Sequence, residues 1–532
     1  MAAWSPIASS PIARWSREHN KMSKTSPSSS PDADTGWLTL ERLLTVLTFI
    51  AVFTMAVRVP ADSDTWWHLL SGRYIVENQT IPLTDPFSHT RLGEPWIDHG
   101  WLAQILLYGL YALGGWAGLS LGVAGLVTLA FVFVYLQSVG NPFLRAFGVV
   151  WGAITASVVW VARPQIVSFF LTALVAYLLD RYKRHNGKTL LWLPLVLLFW
   201  ANVHGGYAIA FILMLCYVVG EGTNLLTRHR ENPVLSWRQL LRLLLVMGLC
   251  FLVVGINPHT WQMWLYPFRT VGIGVLRDFI QEWQSPNFHL AWQQPFILLL
   301  LLTVLGLTRS GRRADFTDLA LFAVWTILAL LAGRNIAIFA LVAVPIFVRY
   351  GTLAWEQQLE DWREADWARP LLEAAGRPMA GGRMLTIINW VLLALIAIAA
   401  LVKISLPLAP GAVDKATRAS LPVDAVAYVQ AQRPPGPMFN SYNWGGYLLY
   451  TLWPDYPVFV DGRTDLYDDA FLRQYINIYV ADDGWRELLD QYEIRLVIVE
   501  TNSVLAKFLR TDPAWREAYR DEMAAVFTRE TE

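Results

Sequence analysis

Residues able to handle protons, cations or phosphates recur at short polar breaks in an otherwise apolar chain. The richest break carries Asp62 and Asp64 two apart, with His68 four beyond Asp64. Residues i and i+4 share a helical face, a spacing that suits a carboxylate orienting an imidazole or two ligands of one cation. Asp62 and Asp64 face apart on a regular helix or strand, so both converge only where the backbone is irregular. Asp62, Asp64 and His68 together form a mixed O/N donor set for a divalent metal, one that specifies no particular ion. A plainer role is open to the same residues: Asp64 or Ser63 caps a short helix, and Trp66-Trp67 anchors it at headgroup level. Four further breaks hold Arg163 with Gln165, Asn202 with His204, His259 with Glu282, and Arg334 with Asn335. Guanidinium groups such as Arg163 and Arg334 offer bidentate phosphate contacts. An aspartate near its reference pKa of about 3.9 is ionised at neutral pH and can accept a proton. The rest of the first loop carries Asp85, His89, Asp98 and His99, the last two reading as a helix cap or as the far wall of a site.

The elements that must position these residues are membrane helices. Of 532 residues, 55% are hydrophobic and 16% charged, and 26 are tryptophan. A soluble domain carries about 25% charged residues, so the composition excludes an ordinary cytosolic protein and a basic nucleic-acid binder. The 42 basic and 42 acidic residues balance, so total charge favours no polyanionic partner. Cys216 and Cys250 lie in apolar runs and offer neither a disulfide nor a Cys-rich metal site. Apolar runs predict about eleven spans, roughly 39–58, 117–137, 145–162, 166–180, 189–203, 206–226, 240–256, 295–308, 316–333, 335–349 and 384–403. Trp101–Leu113 reads as a further span or an interfacial helix.

Basic residues cluster in alternate loops, at Arg181 to Arg184, Arg228 to Arg230, Arg238 with Arg242, Arg309 to Arg313, and Arg349 to Arg383. The positive-inside rule then puts the N-terminus in the cytoplasm and the C-terminus outside the cytoplasmic membrane. The first 36 residues, Ser/Pro-rich and polar, read as a disordered cytoplasmic tail. Residues 37–403 form the transmembrane domain, with an outer loop at 60–100. All the chemically competent breaks then fall on the outer face. A mid-bilayer charge costs about 2.5–3.5 kcal/mol, so five such breaks on one face suggest a shared polar cavity.

From 404 to 532 the pattern changes to a small extracytoplasmic α/β domain. Phe439–Tyr442, Pro457–Val460 and Ile494–Glu500 read as strands, and Ala524–Phe527 as an edge strand. Helices are predicted at 444–453, 468–480, 484–491 and 513–522. Asp461-Gly462-Arg463 follows a strand directly, where ligands gather in open α/β sheets; the plainer reading is a turn with Gly462 at positive φ and an Asp capping the next helix.

Acidic residues just after the first span, in a long outer loop, resemble the GT-C superfamily of membrane glycosyltransferases, in the layout of its protein mannosyltransferase and aminoarabinose transferase branches. The wording Asp64-Thr65-Trp66-Trp67-His68-Leu69, with Asp85-Pro86-Phe87-Ser88, Pro95-Trp96, Asn202-Val203-His204-Gly205-Gly206, Glu282-Trp283-Gln284, Arg334-Asn335 and Asp461-Gly462-Arg463, is similar to a group of bacterial polytopic proteins placed near that superfamily. The resemblance implies an all-α polytopic membrane bundle of GT-C type with the appended α/β domain. It also implies transfer of a sugar from a polyprenyl-phosphate donor in the membrane lipid to an extracytoplasmic acceptor. Asp64 is then the base or metal ligand, with Asp62 next and His68 beside them, and Arg163, Asn202, His204, His259 and Arg334 face substrate. The Asp-Glu pair of the mannosyltransferases has no counterpart in this sequence. Two other classes compete: a transporter or flippase of a lipid-linked or anionic substrate, which requires charges deep within spans, and a non-catalytic membrane protein with an outer binding domain.

Overall fold

A computed structural model of the chain describes residues 37–60, 62–185, 187–228, 232–275, 280–365, 367–368, 370 and 382–530. The expected disordered tail, 1–36, lies outside them, as do His229 and Arg230 of one basic loop. Helix α1 (Leu40–Ala56) leads to α2 (Ser63–Asn78), a loop and α3 (Trp101–Gln137). Then follow α4 (Pro142–Ala156), α5 (Gln165–His185), α6 (Leu193–Val203), α7 (Ala208–Leu226), α8 (Trp237–Val254) and α9 (Gln262–Val271). Helices α10 (Pro295–Arg309), α11 (Phe316–Leu331), α12 (Ile336–Glu364) and α13 (Gly382–Leu408) complete the membrane part.

Among the described residues eight helices are long and apolar enough to cross a membrane: α3, α4, α5, α7, α8, α10, α12 and α13, some of them with a flanking turn. The other three expected spans fold as the shorter helices α1, α6 and α11. Trp101–Leu113 is the first part of α3, which breaks its helical path at Gly115. Helix α12 is the axis of the bundle. Every residue from Ile336 to Val348 is buried, packed by α10, α4 and α11. Helix α13 is the opposite case, largely exposed along its apolar length as a lipid-facing helix must be; it packs on α1, and its Asn389 Nδ2 donates to Leu38 O, just before α1, at 3.0 Å.

The end of the bundle formed by the C-termini of α5 and α7 and the N-terminus of α11 holds charges that the sequence reading placed in loops or did not weigh. Lys183 Nζ lies 2.5 Å from Glu221 and 2.6 Å from Asp315. Arg349 pairs with Asp318 at 2.5 Å and Asp180 at 3.6 Å. These groups are buried among helices, and each is paired, which is what makes a charge tolerable there.

After α13 come α14 (Ala412–Arg418), α15 (Val423–Gln432), β1 (Met438–Asn440), α16 (Gly445–Leu452), α17 (Asp469–Val480) and α18 (Trp485–Gln491). Strand β2 (Leu496–Glu500), α19 (Val504–Leu509), β3 (Trp515–Arg520) and β4 (Ala524–Arg529) end the chain. The sheet order is β1-β2-β4-β3, with β1 parallel to β2 and the other pairs antiparallel. Phe439 faces Val497, and Ile498 faces Val526.

Three expectations for this region are corrected. The segment 513–522 is a strand, not a helix, because Asp521 accepts from Met523 N and Ala524 N and so closes a β3–β4 hairpin. Strand β4, expected at an edge, lies inside the sheet. Pro457–Val460 joins no sheet strand. It pairs with the first loop instead, His89 N donating to Val458 O at 3.1 Å and Thr90 Oγ1 to Phe459 O at 2.7 Å.

That pairing belongs to a broad junction between the C-terminal region and the first loop. Helix α16 lies on α2 so closely that a Cβ at Gly446 would meet Ser63 O at 2.4 Å. Beside it Arg463, its side chain fully buried, bridges Asp461 (2.6 Å) and Asp85. Its guanidinium carbon sits 5.2 Å from the Phe87 ring and 4.9 Å from that of Trp96. Asp85 also accepts from Phe87 N and Ser88 N. The plainer reading of Asp461-Gly462-Arg463 therefore fails in detail. Gly462 is not among the positive-φ glycines, and the Asp that caps the next helix, α17, is Asp468, whereas Asp461 binds Arg463. Replacing Arg463 by Met leaves two buried carboxylates without a cation, a loss of about 3–5 kcal/mol. Arg463→Met is expected to melt several degrees lower in detergent and to expose 404–530 to protease; an unchanged melting temperature would refute this role.

Candidate functional site

Asp62 caps α2, its carboxylate accepting from Asp64 N at 3.0 Å. The cap puts Asp64 in the first turn and His68 one turn on. Arg163, in the short connection before α5, then reaches across. Its Nε and Nη2 donate to the two oxygens of Asp62 at 2.5 and 2.6 Å, and its Nη1 lies 2.8 Å from Asp64. The capped, irregular start of α2 is what lets carboxylates two residues apart converge on one guanidinium.

Above this group opens a cavity of about 1010 Å³. Asp64, His68, Arg163, His204 and Arg334 all line it, drawn from four separate polar breaks. Asp62 stands behind Arg163. Asn202 and His259 are not on the wall. Asn202 donates to Leu198 O and Ile256 O and accepts from Trp101 Nε1, which ties α6 to its neighbours. His259 packs in a turn where its backbone N donates to Asn257 Oδ1. Glu282 lies between the two arginines, 4.0 Å from Arg163 and 3.8 Å from Arg334, and Arg334 sits 4.5 Å over the Trp283 ring.

His99, one of the two residues expected as a cap or far wall, is on the wall, and residues with no expected role complete it. His99, Tyr266, Tyr442 and Asp465 line the cavity, as do Leu472 and Ile476 of α17. Gly462 rests on Asp64: a Cβ there would fall 2.0 Å from Asp64 Oδ1. The Asp461-Gly462-Arg463 motif was the available signal for this approach; Tyr266, on a short helix with an internal proline, had none.

Electrostatics separate the side chains. Burial pushes the Asp64 carboxyl up to about 6, with Arg163 opposing and Asp62, Glu282 and Asp461 reinforcing the rise. Burial works against the Arg163 charge, but Asp64 and Asp62 outweigh it and hold its pKa above the ordinary value. Burial, helped by Arg163, His99 and His204, keeps His68 well below the usual imidazole range. His204 is lowered by burial, His99 and Arg334. At neutral pH the wall thus offers the ionised carboxylate of Asp64, the guanidinium of Arg163 and neutral imidazoles at His68 and His204. Among the described residues Trp67 Nε1, His68 Nδ1 and Trp325 Nε1 are buried without a hydrogen-bond partner.

The expected orienting contact between Asp64 and His68 is absent among the described residues: Asp64 turns to Arg163, and His68 Nδ1 has no partner. The residues also do not fit the proposed metal. Among the described residues no three His, Cys, Asp or Glu side chains are grouped to hold an ion, and the oxygens of Asp62 and Asp64 already face a cation, Arg163.

No protein-family model and no curated protein sequence matches the chain. Solved structures do. An oligosaccharyltransferase from Archaeoglobus fulgidus, tethered to an acceptor peptide containing an NVT sequon, superposes with a TM-score of 0.53 at 14% identity, covering 87% of this chain and 70% of that one. ArnT from Cupriavidus metallidurans bound to undecaprenyl phosphate gives 0.49 at 13% identity over 93% and 98% of the two chains. The arabinofuranosyltransferase AftD from Mycobacteria gives 0.48 at 13% over 93% and 42%. Over most of its length the chain has a GT-C-like fold, similar to membrane glycosyltransferases at low sequence identity. Because Arg163 occupies the carboxylate pair, the intact protein is expected to bind no Mn²⁺ there, whereas Arg163→Ala should acquire a site readable by electron paramagnetic resonance and lost on adding Asp62→Asn. Mn²⁺ held by the intact pair would overturn this assignment.

Proposed function

We propose that this protein is a membrane glycosyltransferase that moves a sugar from a polyprenyl-phosphate donor to an acceptor at the outer face of the cytoplasmic membrane. The observation that carries the reading is the convergence of Asp64, Arg163, His204 and Arg334 on one cavity. The fold shared with an oligosaccharyltransferase supports it. The basic loops that favour a cytoplasmic N-terminus support the sidedness.

In this scheme Asp64 accepts the proton of an acceptor hydroxyl as its oxygen bonds to the anomeric carbon. The bond from that carbon to the phosphate oxygen breaks, and its electron pair leaves with the phosphate. Arg163 and Arg334 neutralise the charge that develops there, in a site whose low dielectric strengthens such contacts. Glu282 keeps the arginine pair in place until the phosphate enters. His204, neutral and hydrogen-bonded through Nδ1 to Ser168 Oγ (2.8 Å), contributes a fixed polar edge. The apolar flank given by Ile209, Ile212 and Val271 suits the first isoprene units of the lipid.

Asp64→Asn should lower sugar transfer from a polyprenyl-phosphate donor by about 10²–10⁴-fold with expression and melting temperature intact; full turnover in that variant would sink the proposal. The pH profile gives a second check. A base with its pKa raised to about 6 is protonated below that value and ionised above it, so kcat/KM should climb through pH 6 and level off. An activity unchanged from pH 5 to 7 would show that Asp64 does not carry the proton.

A further inference from the structure

The cavity has a second polar cluster, apart from the Asp64–Arg163 group. Tyr266 Oη lies 2.7 Å from His99 Nδ1 and 3.3 Å from Asp465 Oδ2, and His99 Nδ1 lies 3.7 Å from the same carboxylate. The three side chains come from the loop before α3, from α9 and from the turn after Arg463, and all three line the cavity. His99 and Asp465 are each 18% exposed, wet enough to meet a ligand and enclosed enough to be held in place. One hydroxyl proton on Tyr266 cannot serve both neighbours, so the cluster retains unused acceptor capacity at Asp465.

A single turn joins the two clusters. Gly462 abuts Asp64, and Asp465 is three residues further on. Three residues span at most about 10 Å, so the gap between the proposed base and the His99–Tyr266–Asp465 cluster is of the order of one or two sugar rings. Tyr266, Tyr442 and Tyr475 contribute aromatic rings to the cavity wall. The charge of Asp465 favours hydroxyl donors and opposes anions.

Resting on the function proposed above, we infer that His99, Tyr266 and Asp465 form the acceptor subsite, and that the acceptor is a neutral, hydroxyl-rich molecule such as a saccharide. One hydroxyl is held by Asp465 and the imidazole of His99 while another is presented to Asp64. The phosphate of the donor stays with Arg163 and Arg334.

The test uses the full chain in lipid nanodiscs and two independent binding measurements by calorimetry. One titrates undecaprenyl phosphate; the other titrates neutral gluco-, manno- and galacto-configured trisaccharides beside a galacturonate trimer. At least one neutral trisaccharide should bind saturably and the uronate should not. Asp465→Asn and the conservative Tyr266→Phe should each weaken that binding about tenfold while leaving undecaprenyl phosphate affinity unchanged. Arg163→Gln should do the reverse. Neutral trisaccharide binding untouched by both subsite variants, a preference for the uronate, or no saccharide binding at all would overturn the subsite. Failure of the undecaprenyl phosphate arm alone would instead count against the donor reading. Because Tyr266→Phe removes one oxygen and keeps the ring, a loss confined to Asp465→Asn with a lowered melting temperature would mark the cluster as a structural clamp and also overturn the proposal.

Discussion

Arg463 has no side-chain surface open to solvent, and two carboxylates from distant parts of the chain meet on it. Asp85 comes from the first loop and Asp461 from the C-terminal region, so the ion triad welds two segments more than 370 residues apart in sequence. A cation buried between aromatic rings is sustained only while both carboxylates stay in place, which makes the junction all-or-none rather than graded. The location of Gly462 depends on this junction, because the neighbours of the glycine on either side are the ion partners. Through Gly462 the first turn of α2, and with it Asp64, is bounded on its open side.

The same principle governs both ends of the bundle with different results. At one end Lys183, Glu221 and Asp315, and Arg349 with Asp318 and Asp180, neutralise each other inside packed helices. At the other end Arg163 is similarly encircled, by Asp62, Asp64 and more distantly Glu282, but there the pairs border a cavity of about 1010 Å³. Paired charge in a closed setting holds helices together. Paired charge beside open volume can exchange one partner for a ligand.

The helices and most of the polar breaks were legible in the sequence, because both are local. A long apolar run must be a helix in a bilayer, since every backbone group needs an internal partner there. Asp64, His68, Arg163, His204 and Arg334 stand out for the same reason: a charged or polar residue at the end of an apolar run is conspicuous. Asn202 and His259 were equally conspicuous, yet they serve the packing of α6 and a turn. Type and position along the chain do not distinguish a side chain that faces a cavity from one that turns to a backbone carbonyl. The misread hairpin of β3 and β4 has a similar origin, since Trp515–Arg520 carries no pattern strong enough to exclude a helix until Asp521 closes the turn.

The sequence by itself determined that this is a multi-helix membrane protein with a small α/β region in its C-terminal part, and that its polar side chains gather at helix termini. Hydrophobic length and local polarity are sufficient for that much. Only the tertiary structure decided that Arg163, rather than His68, is the partner of Asp64, that Asp465 and Tyr266 join His99, and that Gly462 closes on the carboxylate. Those facts depend on contacts between residues up to several hundred positions apart, and such contacts are set by packing and by the need to pair every buried charge, neither of which leaves a periodic trace in the chain.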